Sequence, residues 1–433
     1  MTYQEAVEYL YAATPAFQQV GASAYKPGLD TIIQLDSYYD HPHQSYRTLH
    51  VAGTNGKGST SHSLASILQA SGYRVGLFTS PHLIDFRERI RVDGIPIDES
   101  FVCSFVDEVR PLVEELHPSF FELTTMMAFV YFRHCQVDYA IIEVGMGGRL
   151  DSTNIITPDL SIITGISKDH TQYLGDTLPK IASEKAGIIK PDVPTIIGRA
   201  DEAEVREVFY RRAKEVGAPL TWAQEEITFS SVRSSQGGQV FSLDHGRDTF
   251  PKELFFGLGG IVQRYNLPTI LTAVTLLRQQ GVAISDESLE AGLRDVVRAT
   301  GLRGRWEILS KDPLLICDTG HNEDGIRYVV DQLLSLGRPL HIVFGMVNDK
   351  DVSGVLALLP REATYYFTAA SVPRALAAEH LRTLAQSFGL EGTAYPDLPT
   401  ALEEAKRQAK PGDAIFVGGS NFLIADLLQY INS

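Results

Sequence analysis

The chain has 433 residues, of which 44% are hydrophobic and 21% are charged, and this ordinary globular composition excludes a collagen-like, coiled-coil or disordered protein. Its formal net charge of −15 argues against a broad nucleic-acid or anionic-membrane surface, because both partners are themselves negatively charged. Three widely spaced cysteines, with neither a run for a transmembrane helix nor a signal peptide, predict a cytoplasmic protein with reduced thiols and no disulfide framework or zinc site.

The first half of the chain is predicted to form a parallel sheet. Two short helices over residues 3–13 and 29–39 precede a strand, a glycine-rich loop, a helix and a second strand, an order that implies parallel pairing. Two continuous apolar runs further along predict strands covered on both faces. The predicted strands are 48–52, 73–78, 139–144 and 160–164, followed by a small antiparallel excursion at 222–250 and helices at 267–280 and 286–299.

The alternation of strands and helices restarts after a hinge predicted at 300–304. Strands are predicted at 314–317, 341–344, 364–367 and 414–417, and helices at 324–334, 352–358, 374–387, 400–409 and 422–431. The predicted fold class is therefore α/β: a P-loop-type parallel-sheet ATPase domain over 1–299, then a smaller Rossmann-like α/β domain over 303–433. We expect a crevice between the two domains.

The glycine-rich loop is the strongest single motif. It runs Gly53-Thr54-Asn55-Gly56-Lys57-Gly58-Ser59 between a strand and a helix, where backbone N–H groups and a helix N-terminus can hold phosphates. Lys57 supplies a charge for the terminal phosphates, and Ser59 or Thr60 a hydroxyl near Mg²⁺. The motif departs from Walker A, because Val51 replaces the first glycine and Gly58 follows the lysine. A plain glycine-rich turn is the alternative.

Two side chains at predicted strand ends are candidate metal ligands. Glu143 ends a buried strand and His170 follows the next one, and ligands of α/β sheets bind at the carboxyl ends of the strands. A carboxylate oxygen suits Mg²⁺. The alternatives are a Glu143–Arg149 pair and a structural histidine, and by composition alone Lys185 would be a solvated lysine.

Three arginines, Arg87, Arg89 and Arg91, alternate as on an extended segment. With Arg149 they would form a local positive funnel for an anionic substrate inside an acidic surface. An exposed hairpin is the alternative.

In the second domain, Asp318-Thr319-Gly320-His321-Asn322 follows the first predicted strand. An acid, a glycine and a histidine at a strand end indicate a site facing the crevice, and a helix-capping turn with Asn322 as N-cap is the alternative. Arg305, just past the hinge, is placed to reach a phosphate.

Taken together these motifs resemble the folylpolyglutamate synthase/dihydrofolate synthase family, a branch of the Mur-type amide ligases. Besides the loop, the matching residues in chain order are Thr79-Ser80-Pro81-His82-Leu83, Phe121-Glu122 with Thr124-Thr125, the run from Glu143 to Asn154, Asp169-His170-Thr171, Glu184-Lys185-Ala186-Gly187-Ile188, Gly304-Arg305-Trp306-Glu307, Asp318 with His321-Asn322, and Gly345-Met346 with Asp349-Lys350-Asp351.

The resemblance implies a role for each matched residue. Gly53 to Ser59, with Asn266, Arg305 and Asp318, would bind ATP. Ser80, Glu143 and His170 would hold Mg²⁺, Ser59 would lie near a second metal position, and Lys185 would be carried as a carbamate. His321 and Ser420 would lie near the incoming glutamate. Phe121, Glu122, Leu150, Asp151 and Ser152 would form the pterin pocket, closed by the segment around Gly28 to Asp30. Separately from the resemblance, the predicted arginine funnel makes Arg89 a candidate substrate contact.

The implied activity is ATP-dependent ligation of L-glutamate to dihydropteroate, to tetrahydrofolate, or to both. A γ-phosphoryl group activates the carboxylate as an acyl phosphate, Lys57 and Mg²⁺ offset the developing charge, and His321 or Asp318 serves as general base for the amine. ATP and Mg²⁺ are the expected cofactors, small molecules the expected partners, and a monomer the expected state.

Three other functions are consistent with parts of the pattern. A peptidoglycan-type Mur ligase shares the mechanism, but such enzymes usually carry a substrate domain ahead of the loop, which begins here at Gly53. A nucleotide-gated ATPase that acts as an interaction protein would hydrolyse ATP without folate or glutamate. A small-molecule kinase would stop at phosphoryl transfer.

Overall fold

The structure is a computed structural model that describes residues 1–14, 28–235, 237–244, 250–348 and 351–432. The chain divides into two compact units. The first contains Met1–Arg233, Gln239–Gly257 and Arg264–Leu302, and the second contains Ser234–Gly238, Leu258–Gln263 and Arg303–Ser433. In the described part of the chain, no helix combines the length and apolar character that crossing a bilayer requires.

An eight-stranded sheet forms the centre of the first unit. Its strands are β1 (Arg47–Ala52), β2 (Val75–Phe78), β3 (Ile90–Val92), β4 (Ile95–Pro96), β5 (Tyr139–Glu143), β6 (Leu160–Gly165), β7 (Thr195–Arg199) and β8 (Leu220–Trp222), in the order β4-β3-β2-β5-β1-β6-β7-β8. The six strands from β2 to β8 in this order pair in parallel, and β3 and β4 are antiparallel. Every residue of β5 is buried, as expected for a strand covered on both faces.

Helices alternate with the strands of this sheet along the chain. They are α1 (Tyr3–Ala13), α2 (Asp30–Tyr38), α3 (Lys57–Ala70), α4 (Glu99–Leu116), α5 (Phe120–His134), α6 (Thr171–Leu174), α7 (Leu178–Lys185), α8 (Ala203–Val216), α9 (Ala223–Glu226), α10 (Gln263–Gln279), α11 (Asp286–Arg294) and α12 (Val296–Thr300). Short 3₁₀ turns lie at Pro42–Ser45, Phe86–Arg89, Ser152–Ile155 and Ala186–Ile188. A separate antiparallel sheet joins β9 (Phe229–Ser235), β10 (Gly238–Leu243) and β11 (Glu253–Phe256), in the order β11-β10-β9.

The second unit is built on a six-stranded sheet. Its strands are β12 (Glu307–Lys311), β13 (Leu314–Cys317), β14 (Leu340–Phe344), β15 (Thr364–Phe367), β16 (Gly392–Ala394) and β17 (Ala414–Gly418), in the order β12-β13-β17-β14-β15-β16. Only β12 is antiparallel to its neighbour. The helices are α13 (Glu323–Ser335), α14 (Val352–Leu356), α15 (Ala378–Gln386), α16 (Leu398–Gln408) and α17 (Asn421–Asn432).

The predicted α/β class is confirmed, and so are the central strands of both sheets. The two long helices α4 and α5 and the short strands β12 and β16 were not predicted. The prediction that Arg87, Arg89 and Arg91 lie on one extended segment is wrong. Residues Phe86–Arg89 form a 3₁₀ turn rather than an extended strand, because Asp85 and Glu88 make a capping box around it.

Candidate functional site

The glycine-rich loop closes tightly at the carboxyl end of the first sheet. Gly53 and Gly56 have φ of +145° and +88°, and Gly56 is the N-cap of α3. A Cβ atom on Gly53 would lie 1.9 Å from Thr164 Oγ1, and one on Gly56 would lie 2.3 Å from Asn266 Oδ1. Glycine is therefore required at both positions, because any other side chain would meet a strained backbone and an occupied space. The result is a bare backbone turn at a helix N-terminus, which suits a phosphate.

The loop is fastened to the end of β6 by hydrogen bonds that run in both directions. The Thr54 amide donates to Gly165 O at 2.8 Å, and the Thr54 hydroxyl donates to Ser167 O at 3.0 Å. The Thr164 hydroxyl donates to Asn55 O at 2.7 Å. Asn266, on α10, lies against Gly56. These contacts fix the loop before any ligand arrives, so binding orders little additional backbone.

Two lysines converge on one carbonyl oxygen of this loop. Lys57 Nζ donates to Gly53 O at 3.1 Å, and Lys185 Nζ donates to the same oxygen at 2.9 Å. Lys185 is only 4% exposed. Burial, and secondarily the charge of Lys57, lower the pKa of Lys185 to about 7. Two amines held this close repel each other when both are charged, and an anion at the loop would relieve that repulsion.

The candidate metal ligands lie at the ends of neighbouring strands. Glu143, 3% exposed, ends β5, and Ser80 follows β2. His170 follows β6, with φ of +50°. Ser59, also 3% exposed, lies in the first turn of α3. Within the described ranges no group of three or more His, Cys, Asp or Glu side chains forms a metal cage. Mg²⁺ does not need one, because it is held by one or two carboxylates together with substrate phosphates and waters.

The arginines of the predicted funnel do not share one open face in the structure. Arg87 donates to Asp85 and pairs with Glu99 at 3.0 Å, and Arg149 pairs with Glu184 at 2.8 Å. Arg89 is 4% exposed and lies over the Phe120 ring, 5.2 Å from its centroid. These arginines are neutralised by neighbouring acids or enclosed, so they do not present one open cationic face.

The residues that resemble a pterin pocket fall into two groups. Phe121 packs against the turn after β5, where a Cβ on Gly145 would lie 2.5 Å from its ring. The carboxylates of Glu122 and Asp151 are already engaged by the protein: Glu122 accepts the Ser119 amide in a helix capping box, and Asp151 accepts the Met146 amide at 2.9 Å. Ser152 begins the next 3₁₀ turn, and Leu150 is half-buried.

Gly28 and Asp30 lie at the start of α2, directly after the undescribed residues 15–27. Asp349 and Lys350 also lie outside the described residues.

The second unit holds four candidates: Asp318, His321 and Ser420 follow the carboxyl ends of β13 and β17, and Arg305 precedes β12, which is antiparallel to β13. Asp318 accepts the Trp306 and Gly320 amides, both at 2.7 Å, and burial raises the pKa of this carboxyl. Arg305 donates to the Thr319 hydroxyl. His321 Nδ1 lies 2.9 Å from Thr319 O, which can only accept, so in the neutral ring the lone pair is on Nε2. Ser420 precedes α17 and accepts the Phe422 amide at 3.1 Å.

Some contributors gave no usable signal in the sequence. Thr164 anchors Asn55 across 109 positions, and only its place at a strand end could have suggested it.

Asn322 is the N-cap of α13, accepting the Gly325 amide at 2.8 Å, so the capping alternative is correct for this residue and is compatible with a site at His321.

Two family models match the chain. The Mur ligase middle domain matches residues 51–267, and the Mur ligase glutamate ligase domain matches residues 304–421.

Similar proteins extend over nearly the whole chain. A relative from Bacillus subtilis named dihydrofolate synthase/folylpolyglutamate synthase is 34% identical over 413 residues, which cover 93% of this chain and 94% of that protein. The structure of Escherichia coli FolC in complex with DHPP and ADP has a TM-score of 0.86 and 31% identity, covering 100% of this chain and 98% of that one. A Yersinia pestis bifunctional folylpolyglutamate synthase/dihydrofolate synthase with AMPPNP and Mn ion has a TM-score of 0.83 and 30% identity, with coverage of 100% and 98%.

Proposed function

Since this chain belongs to the dihydrofolate synthase/folylpolyglutamate synthase family of Mur-type ligases, we propose that it joins L-glutamate to a pteroyl carboxylate at the expense of ATP. The products are an amide, ADP and phosphate. The observation that carries the proposal is the loop from Gly53 to Ser59, a preformed backbone cradle with two amines, Lys57 and Lys185, on one of its carbonyl oxygens.

The cradle fits the phosphates of ATP, and its surroundings fit Mg²⁺. Because Gly53 and Gly56 carry no side chain, the loop backbone is open to an anion. Lys57 is placed to neutralise the charge of that anion. Glu143, Ser80 and His170 would hold the metal, which when bound supplies charge stabilisation to the phosphates. Glu143 supports this assignment because it places a buried carboxylate at the carboxyl end of a strand, and carboxylate oxygens are ligands that Mg²⁺ prefers.

The chain's own groups then promote two steps. A carboxylate oxygen of the pteroyl substrate attacks the γ-phosphorus of ATP, the bond to the bridging oxygen of ADP breaks, and Lys57 offsets the charge on the moving phosphoryl group. The glutamate amine next attacks the acyl carbon, phosphate leaves with the bonding pair, and the amine loses a proton. We assign the base to His321 rather than to Asp318, because both oxygens of the Asp318 carboxylate already accept backbone amides.

We also propose that Lys185 is carbamylated. Its amine is buried, has a pKa of about 7, and would be substantially neutral at physiological pH. A neutral amine adds to the carbon of CO₂ and releases a proton, which converts the side chain into an anion. That anion would end the repulsion with Lys57 and add an oxygen ligand beside the phosphates.

The deciding experiment incubates the purified protein with Mg-ATP and L-glutamate, and with dihydropteroate or tetrahydrofolate as acceptor. We expect ADP release that depends on both acceptor and glutamate, and an acceptor mass increased by one glutamyl residue. ADP release without any acceptor would favour the nucleotide-gated ATPase. A phosphorylated acceptor with no amide would favour a kinase.

A further inference from the structure

A buried chain of hydrogen bonds connects the middle of β1 to the turn that follows β5. His50 Nε2 lies 2.8 Å from the Thr153 hydroxyl, and that hydroxyl lies 2.5 Å from Asp151 Oδ1. The Thr153 amide also donates to Asp151 Oδ1 at 3.0 Å, and the Met146 amide donates to Asp151 Oδ2 at 2.9 Å. His50 and Thr153 are fully buried and Asp151 is 6% exposed.

The direction of every bond in this chain follows from chemistry. An ionised carboxylate only accepts, so the single hydroxyl proton of Thr153 is given to Asp151. The Thr153 oxygen must then accept from His50, which places the ring proton on Nε2. His50 Nδ1 is left bare, and it has no hydrogen-bond partner. Burial lowers the pKa of His50 to about 3, in agreement with a permanently neutral ring.

This series of hydrogen bonds ends at Asp151, one of the residues that the family resemblance assigns to the pterin pocket. Asp151 holds the Met146 amide, and the adjoining Gly145 packs on the ring of Phe121. We propose that His50 and Thr153 are positioning residues that fix the Asp151 carboxylate and the Gly145–Met146 turn for binding of the pteroyl substrate. This inference rests on the proposed function, and it assigns work to two residues that would touch neither substrate nor nucleotide.

The reason is the cost of a buried carboxylate. Burial raises the pKa of Asp151, and hydrogen-bond donors offset the cost of burying its carboxylate. The Thr153 hydroxyl donates the shortest of the hydrogen bonds given above to Asp151. Because His50 Nε2–H donates to the oxygen of that hydroxyl, the hydroxyl proton is directed toward Asp151. Without the hydroxyl, Asp151 Oδ1 would keep only the Thr153 amide among these two donors, so the carboxylate that accepts the Met146 amide would be less firmly oriented.

The test compares Thr153→Val with Thr153→Ser. Valine keeps the shape and removes the hydroxyl, whereas serine keeps the hydroxyl. Thr272→Val is the matched control, because Thr272 is a buried threonine whose hydroxyl has no partner. We expect the Kd for dihydropteroate, measured by calorimetry with a non-hydrolysable ATP analogue present, to rise about tenfold in T153V. T153S should remain within about threefold of wild type, KM should follow Kd, and kcat should change little.

Each outcome has a defined meaning. Equal affinities of T153V and T153S, or an equal loss in T272V, would overturn the proposal. If T153V does not fold, the pair His50→Gln and His50→Leu decides: glutamine retains an N–H donor and should bind the acceptor more tightly than leucine, and equal binding would refute the relay. A wild-type protein that binds dihydropteroate but never forms an amide would refute the proposed function, while the binding ratios would still judge the relay.

Discussion

Lys57 is the residue whose removal should most directly reveal the chemistry. Its amine lies 3.1 Å from Gly53 O and 3.3 Å from Thr54 O, at the mouth of a phosphate cradle. We expect Lys57→Ala to lower kcat by about 10²- to 10³-fold or more, the usual cost of losing a preorganised charge at a reacting group. The melting temperature should hardly change, because these contacts lie in a part-buried loop.

The matched control is Lys180→Ala, which removes the same charge from an exposed pair with Asp176. ADP formation in steady state and thermal melting measure the two properties. A K57A variant that retained wild-type turnover would remove this lysine from the mechanism.

If the amine of Lys185 is carbamylated, the activity of the protein should depend on both pH and CO₂. Its pKa is lowered from the ordinary lysine value to about 7, so the neutral, CO₂-reactive form dominates above that pH and is lost as pH falls below it. Activity at pH 8 should therefore decline in CO₂-depleted buffer and recover with bicarbonate, and recovery should be weaker at pH 6. Native mass spectrometry should detect one added CO₂. Activity indifferent to CO₂ at both pH values would contradict the carbamate.

His170 tests the metal assignment. We expect His170→Ala to raise the Mg²⁺ concentration required for half-maximal activity by at least tenfold, because one of few protein ligands is lost. A magnesium titration of ADP formation measures this. An unchanged requirement would exclude His170 from the metal site.

The loop and the helix it begins should behave as one element. Gly56 (φ +88°) and Gly281 (φ +84°) have nearly the same backbone conformation. A Cβ on Gly56 would strike Asn266, whereas a Cβ on Gly281 has nothing within 4 Å. Gly281→Ala should therefore cost only backbone strain, about 1 kcal/mol of unfolding free energy.

Gly56→Ala should cost more than Gly281→Ala and should also weaken ATP binding, because the steric conflict moves the cradle. Urea unfolding and nucleotide titration would establish both effects. Equal stability losses in the two variants, with unchanged ATP affinity, would show that the close approach of Asn266 is unimportant.

Elements were predictable where a local pattern alone determines the structure. The central strands are continuous apolar runs. Their alternation with helices predicts the eight-stranded and the six-stranded sheet. Helix α5 was missed because 11 of its 15 residues are buried, so its apolar residues show no single face. Helix α4, by contrast, buries Val102, Phe105, Val106, Val109 and Val113, a helical spacing that was available in the sequence.

Site contacts were less predictable because they join distant segments. The loop residues were identifiable from glycine and lysine spacing alone, yet their anchors on β6 and α10 depend on the folded sheet. The 3₁₀ turn at Phe86–Arg89 is a different case, because its capping residues Asp85 and Glu88 lie three positions apart and their spacing was available in the sequence.

At the scale of the whole molecule, the negative net charge of the protein is opposite in sign to the local charge of Lys57 at the phosphate loop. The net charge of −15 sets a repulsive field around the protein, while the Lys57 amine at the loop supplies a local attraction for phosphates. Self-repulsion also opposes association of copies, and we propose that the protein is a monomer. Light scattering at physiological salt should give 47.7 kDa, and a stable mass of twice that value would contradict it.

The antiparallel pair β3–β4 has a consequence for the sheet that it borders. The outermost strand is only Ile95–Pro96, and proline has no N–H to offer a newcomer. A border with exposed backbone groups is an adhesive template for a foreign strand, whereas a two-residue strip ending in proline is a poor one. This edge of the sheet is therefore protected against pairing with a strand of another chain, which matters most at the high protein concentrations inside a cell.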